Sequence, residues 1–128
     1  MKRHQKLRKI INHYGVNKQL KQFNEEVFEL NEAIIKYQNS IPTILEILDF
    51  MNSGKSKRQH VVEEMADVLV MIKQFQLKYD IKTEELNKVM KYKIDRQLER
   101  IEKEKPKGLI ATIESGEIPK DISITKIK

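Results

Sequence analysis

Residues 17–38 read NKQLKQFNEEVFELNEAIIKYQ, and the spacing inside this stretch decides the fold. Leu20, Phe23, Val27, Leu30 and Ile34 follow one another at intervals of three and four, the pattern of an apolar stripe along one side of an α-helix. The acidic cluster Glu25-Glu26-Val27-Phe28-Glu29 lies in the same stretch. At about 100° per residue, Glu26 falls on the shoulder of the stripe with Glu29 just beyond it, while Glu25 and Glu32 point further towards solvent. A second acidic cluster, Glu63-Glu64-Met65-Ala66-Asp67, lies in a second amphipathic helix expected from about Gln59 to Lys78. Its inner face is expected to carry Val61, Met65, Val68, Ile72, Phe75 and Tyr79. The angular count sets Glu64 inside that stripe, between Val68 and Met71, with Asp67 on its edge. A carboxylate there is costly to bury unpaired, which makes Glu64 the residue that most needs a functional explanation.

The rest of the chain reads as scaffold for these two helices. A short basic helix from Lys2 to about His13, with Leu7, Ile10 and Ile11 apolar, is expected to stop at Gly15, and Asn17 is placed to cap the next helix. Asn39-Ser40-Ile41-Pro42 breaks the pattern, and a short apolar helix from Thr43 to Met51 follows. Residues 52–58, polar and basic around Gly54, read as a mobile loop. Tyr79 to Lys82 is a turn, and Thr83 with Glu84 and Glu85 opens a last long helix to about Lys105. That helix is expected to bury Leu86, Met90, Ile94, Leu98 and Ile101, and it gathers Lys93, Arg96 and Arg100 on one shoulder. Pro106-Lys107-Gly108 stops it, and the weak alternation from Leu109 to Lys128 suggests short extended pieces lying on the bundle or on a neighbouring subunit.

Composition narrows the class. The chain has 128 residues, room for one domain with a real core, which puts a helical domain at 1–105 and a tail at 106–128. Aromatic residues are only 6% and charged residues 34%, a profile of long polar-faced helices over a thin aliphatic core, so burial between copies is expected. There is no cysteine, which excludes disulfides and thiolate metal sites and is compatible with a reducing cytoplasm. No apolar run approaches the roughly 18 residues of a membrane span, and the reading is a soluble, cytoplasmic protein. The net charge of +6 suits either a nucleic acid or a small polyanion such as a nucleoside triphosphate.

Chemistry enters through the carboxylates. Glu26 and Glu29 share a helix face, as do Glu64 and Asp67, and bringing the two faces together aims four carboxylates at one point. Carboxylates within about 4–6 Å oppose one another's ionisation unless a cation compensates them. An all-oxygen set without cysteine or suitably spaced histidine fits a hard divalent ion such as Mg²⁺. His4, His13 and His60 form no metal-binding spacing. A di-iron carboxylate bundle needs Glu-x2-His pairs, whereas the fourth position of each motif here is Glu29 or Asp67.

Taken together, Leu20-x2-Phe23-x-Glu25-Glu26-x2-Glu29-Leu30-x2-Ala33-Ile34, followed by Glu63-Glu64-x2-Asp67-Val68-Leu69, resembles the MazG-type all-α nucleoside triphosphate pyrophosphohydrolases. Lys93-x2-Arg96-x3-Arg100 is similar to the basic set that such proteins direct at phosphates. The resemblance spans roughly Asn17 to Arg100. It departs in the 34 residues between Glu29 and Glu64, where Pro42 to Arg58 reads as an insertion that shapes the base pocket, and in the tail, which has no counterpart. It implies an all-α bundle of four or five helices with a short C-terminal extended tail. It also implies hydrolysis of a ribo- or deoxyribonucleoside triphosphate to the monophosphate and pyrophosphate. Mg²⁺, with Mn²⁺ as a substitute, would be held by Glu26, Glu29, Glu64 and Asp67. Glu25 or Glu26 would orient or deprotonate the attacking water, and Lys93, Arg96 and Arg100 would face the phosphates. The implied assembly is a homo-oligomer, tetramer or dimer.

The competing reading is a non-catalytic basic helical module that binds nucleic acid or a partner protein. It is disfavoured because no stretch interleaves cations with aromatics and no helix-turn-helix pattern is evident, and it leaves Glu64 unexplained. Tyr37, Phe50, Tyr79, Asn31, Asn39 and Asn87 are all suitable for contacting a base, and none of them is singled out by its position.

Overall fold

Five helices and no strand make up the described residues of the computed structural model, so the chain is all-α as its periodicity predicts. The structure describes residues 1–39 and 44–105, with backbone only at 45, 46 and 49. The helices are α1 (Arg3–Tyr14), α2 (Val16–Gln38), α3 (Ile44–Ser53), α4 (Lys57–Lys78) and α5 (Thr83–Glu104). The expected break around Pro42 and the extended tail after Lys105 lie outside the described residues.

Two of the connections are shorter than the sequence suggests. Gly15 alone separates α1 from α2: its N–H donates to the Ile11 carbonyl at 2.8 Å, closing α1, and its own carbonyl accepts from Gln19 N at 3.1 Å, opening α2. With φ 83° and ψ 159°, it holds a conformation reserved for glycine. Asn17 therefore lies inside α2 and is not its cap. Between α3 and α4 only Gly54, Lys55 and Ser56 are non-helical, so most of the expected 52–58 loop is helix. The Ser56 hydroxyl accepts from Gln59 N at 3.1 Å, an N-cap that lets α4 begin at Lys57.

The chain divides into two units, residues 1–82 and 83–128. In the first, α2 packs along α4, and α1 packs on both. The Phe23 and Phe75 rings meet edge to face at 5.7 Å, and Gln19 Nε2 donates to Gln74 Oε1 at 2.7 Å with both residues buried. These contacts show that the inner line of α2 is Gln19, Phe23, Glu26, Leu30 and Ala33. Leu20, Val27 and Ile34, expected at the centre of the buried stripe, are instead 40% or more exposed, as is Met65 on α4. Tyr79 is 59% exposed beyond the end of α4. The reason is local chemistry: the buried amide pair and the small Ala33 bring the two helices together along a line about 80° from the most apolar one.

In the second unit, α5 carries Glu84 and Glu85 in its first turn, where they complement the helix dipole. None of its residues is buried. Of the expected inner face only Leu86 is half-buried, and Met90, Ile94, Leu98 and Ile101 are each 49% or more exposed. No described helix is long and apolar enough to cross a membrane.

Candidate metal centre

The rotation of α2 towards Gln19 and Ala33 carries Glu26 from the shoulder of the helix into its packed line. There it meets the acidic turn of α4, where Glu64 lies inside the stripe as the spacing predicts. One carboxylate oxygen each from Glu26, Glu64 and Asp67 lies within 4.8 Å of the other two. Glu26 is half-buried, the Glu64 side chain is only 12% exposed, and Asp67 opens to solvent.

The polar atoms around the cluster do not saturate it. Glu26 Oε1 accepts from Gln22 Nε2 at 2.6 Å, one turn back along α2, and Glu64 Oε1 lies 3.8 Å from His60 Nε2, one turn back along α4. Glu26 Oε2 and Glu64 Oε2 are both buried and neither has a hydrogen-bond partner. A buried carboxylate oxygen without a partner is costly, and each one calls for a water, an ion or another polar group to meet it. Around a Mg²⁺ ion at about 2.1 Å, ligand oxygens stand roughly 3–4.2 Å apart, so three oxygens within 4.8 Å need only a small closure to match. The donors are all carboxylate, which suits a hard cation and excludes a softer, thiolate- or imidazole-selective metal as the best match.

Glu29, expected as a fourth ligand, stands outside this triad and is exposed. It is nonetheless within the field of the cluster. Its carboxyl is held above the usual carboxylate range by desolvation, then by the charge of Glu64 and hydrogen bonding with it, and more weakly by Glu25 and Asp67. Glu25 is likewise exposed and acts here through its charge on Glu29. Glu63, the other acid of the second cluster, is bound to Lys55 at 3.0 Å and belongs to the surface.

Lys93, Arg96 and Arg100 do share one shoulder of α5. With Gln97 they line a shallow recess of about 130 Å³ on that helix. Among the described residues around the carboxylates, Gln22 and His60 are the two that the sequence reading missed. Each sits four residues before a cluster glutamate, a spacing at which helical side chains meet, so the signal was present.

No family model matches this chain, and neither a curated protein nor a solved structure does.

Proposed function

We propose that the chain is a Mg²⁺-dependent nucleoside triphosphate pyrophosphohydrolase, acting on a ribo- or deoxyribonucleoside triphosphate to release the monophosphate and pyrophosphate. The observation that carries the reading is the triad of Glu26, Glu64 and Asp67, with two of its carboxylate oxygens buried and unpartnered. The order of the two acidic motifs and the basic set on α5 support it further.

Glu26, Glu64 and Asp67 would hold the ion, with Glu29 at the rim of the set. When bound, Mg²⁺ supplies charge neutralisation at phosphate oxygens and lowers the pKa of water. The chain's own groups divide the remaining work. Glu26 is engaged in the triad, so removal of a proton from the attacking water falls to Glu25 or Glu29. A carboxylate whose pKa is raised, as at Glu29, is the stronger base of the two. Gln22 fixes one oxygen of Glu26 and leaves the other for the ion, while His60 Nε2 stands 3.8 Å from Glu64 Oε1, near the carboxylate but beyond hydrogen-bond distance. Lys93, Arg96 and Arg100 are assigned to the negative charge of the phosphates, with Arg able to engage them bidentately.

The test is pyrophosphate release from a panel of ribo- and deoxyribonucleoside triphosphates, with Mg²⁺ and with chelator, on the native protein and on Glu64→Gln. Release is expected to require the metal. It should fall in the variant by more than the roughly 100-fold that outer-shell changes reach. Absence of cleavage across the panel, with Glu64→Gln altering stability alone, would sink the enzyme reading. A salt-sensitive affinity for nucleic acid in that case would favour the non-catalytic module.

A further inference from the structure

Charge is spread unevenly along the chain. Residues 1–24 hold seven of its 25 lysines and arginines and no Asp or Glu. The other residues set 18 Lys and Arg against 19 Asp and Glu, so the whole net charge of +6 comes from the first 24. All seven cations are exposed.

On α1 the lysines stand opposite the packed side. Ile11 is buried and Leu7 half-buried where the helix packs on α2 and α4. At about 100° per residue, Lys2, Lys6, Lys9 and His13 follow one another on the far side at intervals of four, three and four, a row about 16 Å long. Among the described residues no carboxylate pairs with the three lysines of this row. Arg8 belongs to another flank, where it adds, after Lys82, to the charge that holds the Asp80 carboxyl below the usual carboxylate range. Lys18 Nζ lies 4.8 Å from the centre of the Tyr14 ring, which brings a further cation to the end of the helix.

We propose that this face of α1 is a docking surface for the phosphate backbone of duplex DNA, bound without regard to sequence. The make-up of the face selects the partner. Gln5 and Asn12 border the row on one edge, and Ile10 and Tyr14 fall between its other edge and the packed side, so no apolar residue lies on the row itself. A protein partner needs an apolar centre within its polar rim, and a membrane surface holds a helix through a buried apolar face as well as through charge. A phosphate backbone needs neither, because neutralising phosphates and releasing their counterions supplies essentially all of sequence-independent binding. Single strands are held by stacking on aromatic rings too, whereas Tyr14 already has Lys18 over its ring and His13 against it. Shape agrees with a DNA duplex: a helical ridge about 10 Å across enters a major groove about 12 Å wide with phosphates on both walls, and the narrow major groove of duplex RNA does not admit it. Lysine meets phosphate as a compact point charge and positions the protein without reading bases. The surface shares no residue with the carboxylate triad, and the proposal stands whether or not the triad is catalytic.

The test is binding of the full chain to two short DNA duplexes of unrelated sequence, followed by fluorescence anisotropy in chelator over a series of salt concentrations. Both duplexes are expected to bind alike, with an affinity that falls steeply as salt rises. Lys6→Gln combined with Lys9→Gln should weaken both by about 10-fold or more at low salt, and should lower the slope of log affinity against log salt by about 1.8, the share of two phosphates. Lys36→Gln combined with Lys88→Gln removes the same charge from the last turn of α2 and from α5, and should leave the slope unchanged. All four positions are exposed, and circular dichroism checks that each variant keeps the native helicity. Absence of duplex affinity at low salt overturns the proposal, and so does an equal loss in the two double variants. Tighter binding to anionic phospholipid vesicles than to the duplexes would assign the face to a membrane and overturn it as well.

Discussion

At the scale of single residues, polar groups inside the α2–α4 contact have their partners in one place and lack them in another. Gln19 and Gln74 satisfy each other, so their burial costs little. Gln74→Leu would leave the Gln19 amide buried and unpaired, a loss of about 1–3 kcal/mol, while replacing both glutamines with leucine should be nearly neutral. Chemical denaturation of the single and double variants measures this, and a double variant as damaged as the single one would contradict the pairing. Glu29 makes the opposite case. Its folded-state pKa is raised above the ordinary 4.5 for a glutamate, so in metal-free protein the folded chain binds its proton more tightly than the unfolded chain does. The contribution of this group to stability is therefore best below pH 4.5 and is lost as pH rises through the raised folded value. Glu29→Gln should accordingly raise the thermal midpoint in chelator at neutral pH and lose that advantage on acidification below pH 4.5. A variant that gains at every pH alike would point to a cause other than the neighbouring charges of Glu64, Glu25 and Asp67.

At the scale of elements, the tight joints decide where the helices point. Gly15 is the whole connection between α1 and α2, and a Cβ built on it would meet nothing within 4 Å. The cost of Gly15→Ala is thus purely conformational, about 1–3 kcal/mol for a non-glycine residue forced to φ 83° and ψ 159°. Equilibrium unfolding reads it, and a loss below a few tenths of a kcal/mol would mean the joint relaxes freely. The sequence makes Gly15 legible as a stop but not as the start of the next helix, because a glycine that closes one helix gives no local sign of how soon another begins. Helix number and type were legible for the described residues, since three- and four-residue periodicity is a strong signal over stretches of 20 residues or more. The rotation of α2 was not. Counting apolar residues favours Leu20, Val27 and Ile34, whereas the contact is set by an amide pair and an alanine, whose fit depends on α4 and is invisible in α2 alone. Glu64 was legible within its stripe because its neighbours Val61, Val68 and Met71 do face inwards, while Glu26 was underestimated by the same rotation that misplaced Val27.

At the scale of the whole molecule, the metal reading connects stability to function. Without an ion, the folded chain brings Glu26, Glu64 and Asp67 together and buries two carboxylate oxygens without partners, an arrangement the unfolded chain does not have to make. An ion that binds only the folded chain stabilises it by about 2.7 kcal/mol at a concentration 100-fold above its dissociation constant. For a chain of this length that is an upward shift of roughly 10 °C in the thermal midpoint. In chelator, Glu64→Gln should match or exceed the native protein in stability, because it removes one charge from the cluster and an amide is less costly to desolvate than a carboxylate. On addition of Mg²⁺ the order should reverse, the native protein gaining and the variant gaining little. Thermal unfolding with Mg²⁺ titrated from chelator separates the two contributions without any substrate. Equal shifts in both proteins would place the ion elsewhere, and a native protein indifferent to Mg²⁺ would leave the carboxylate triad as a purely structural feature whose unpartnered oxygens are met by water.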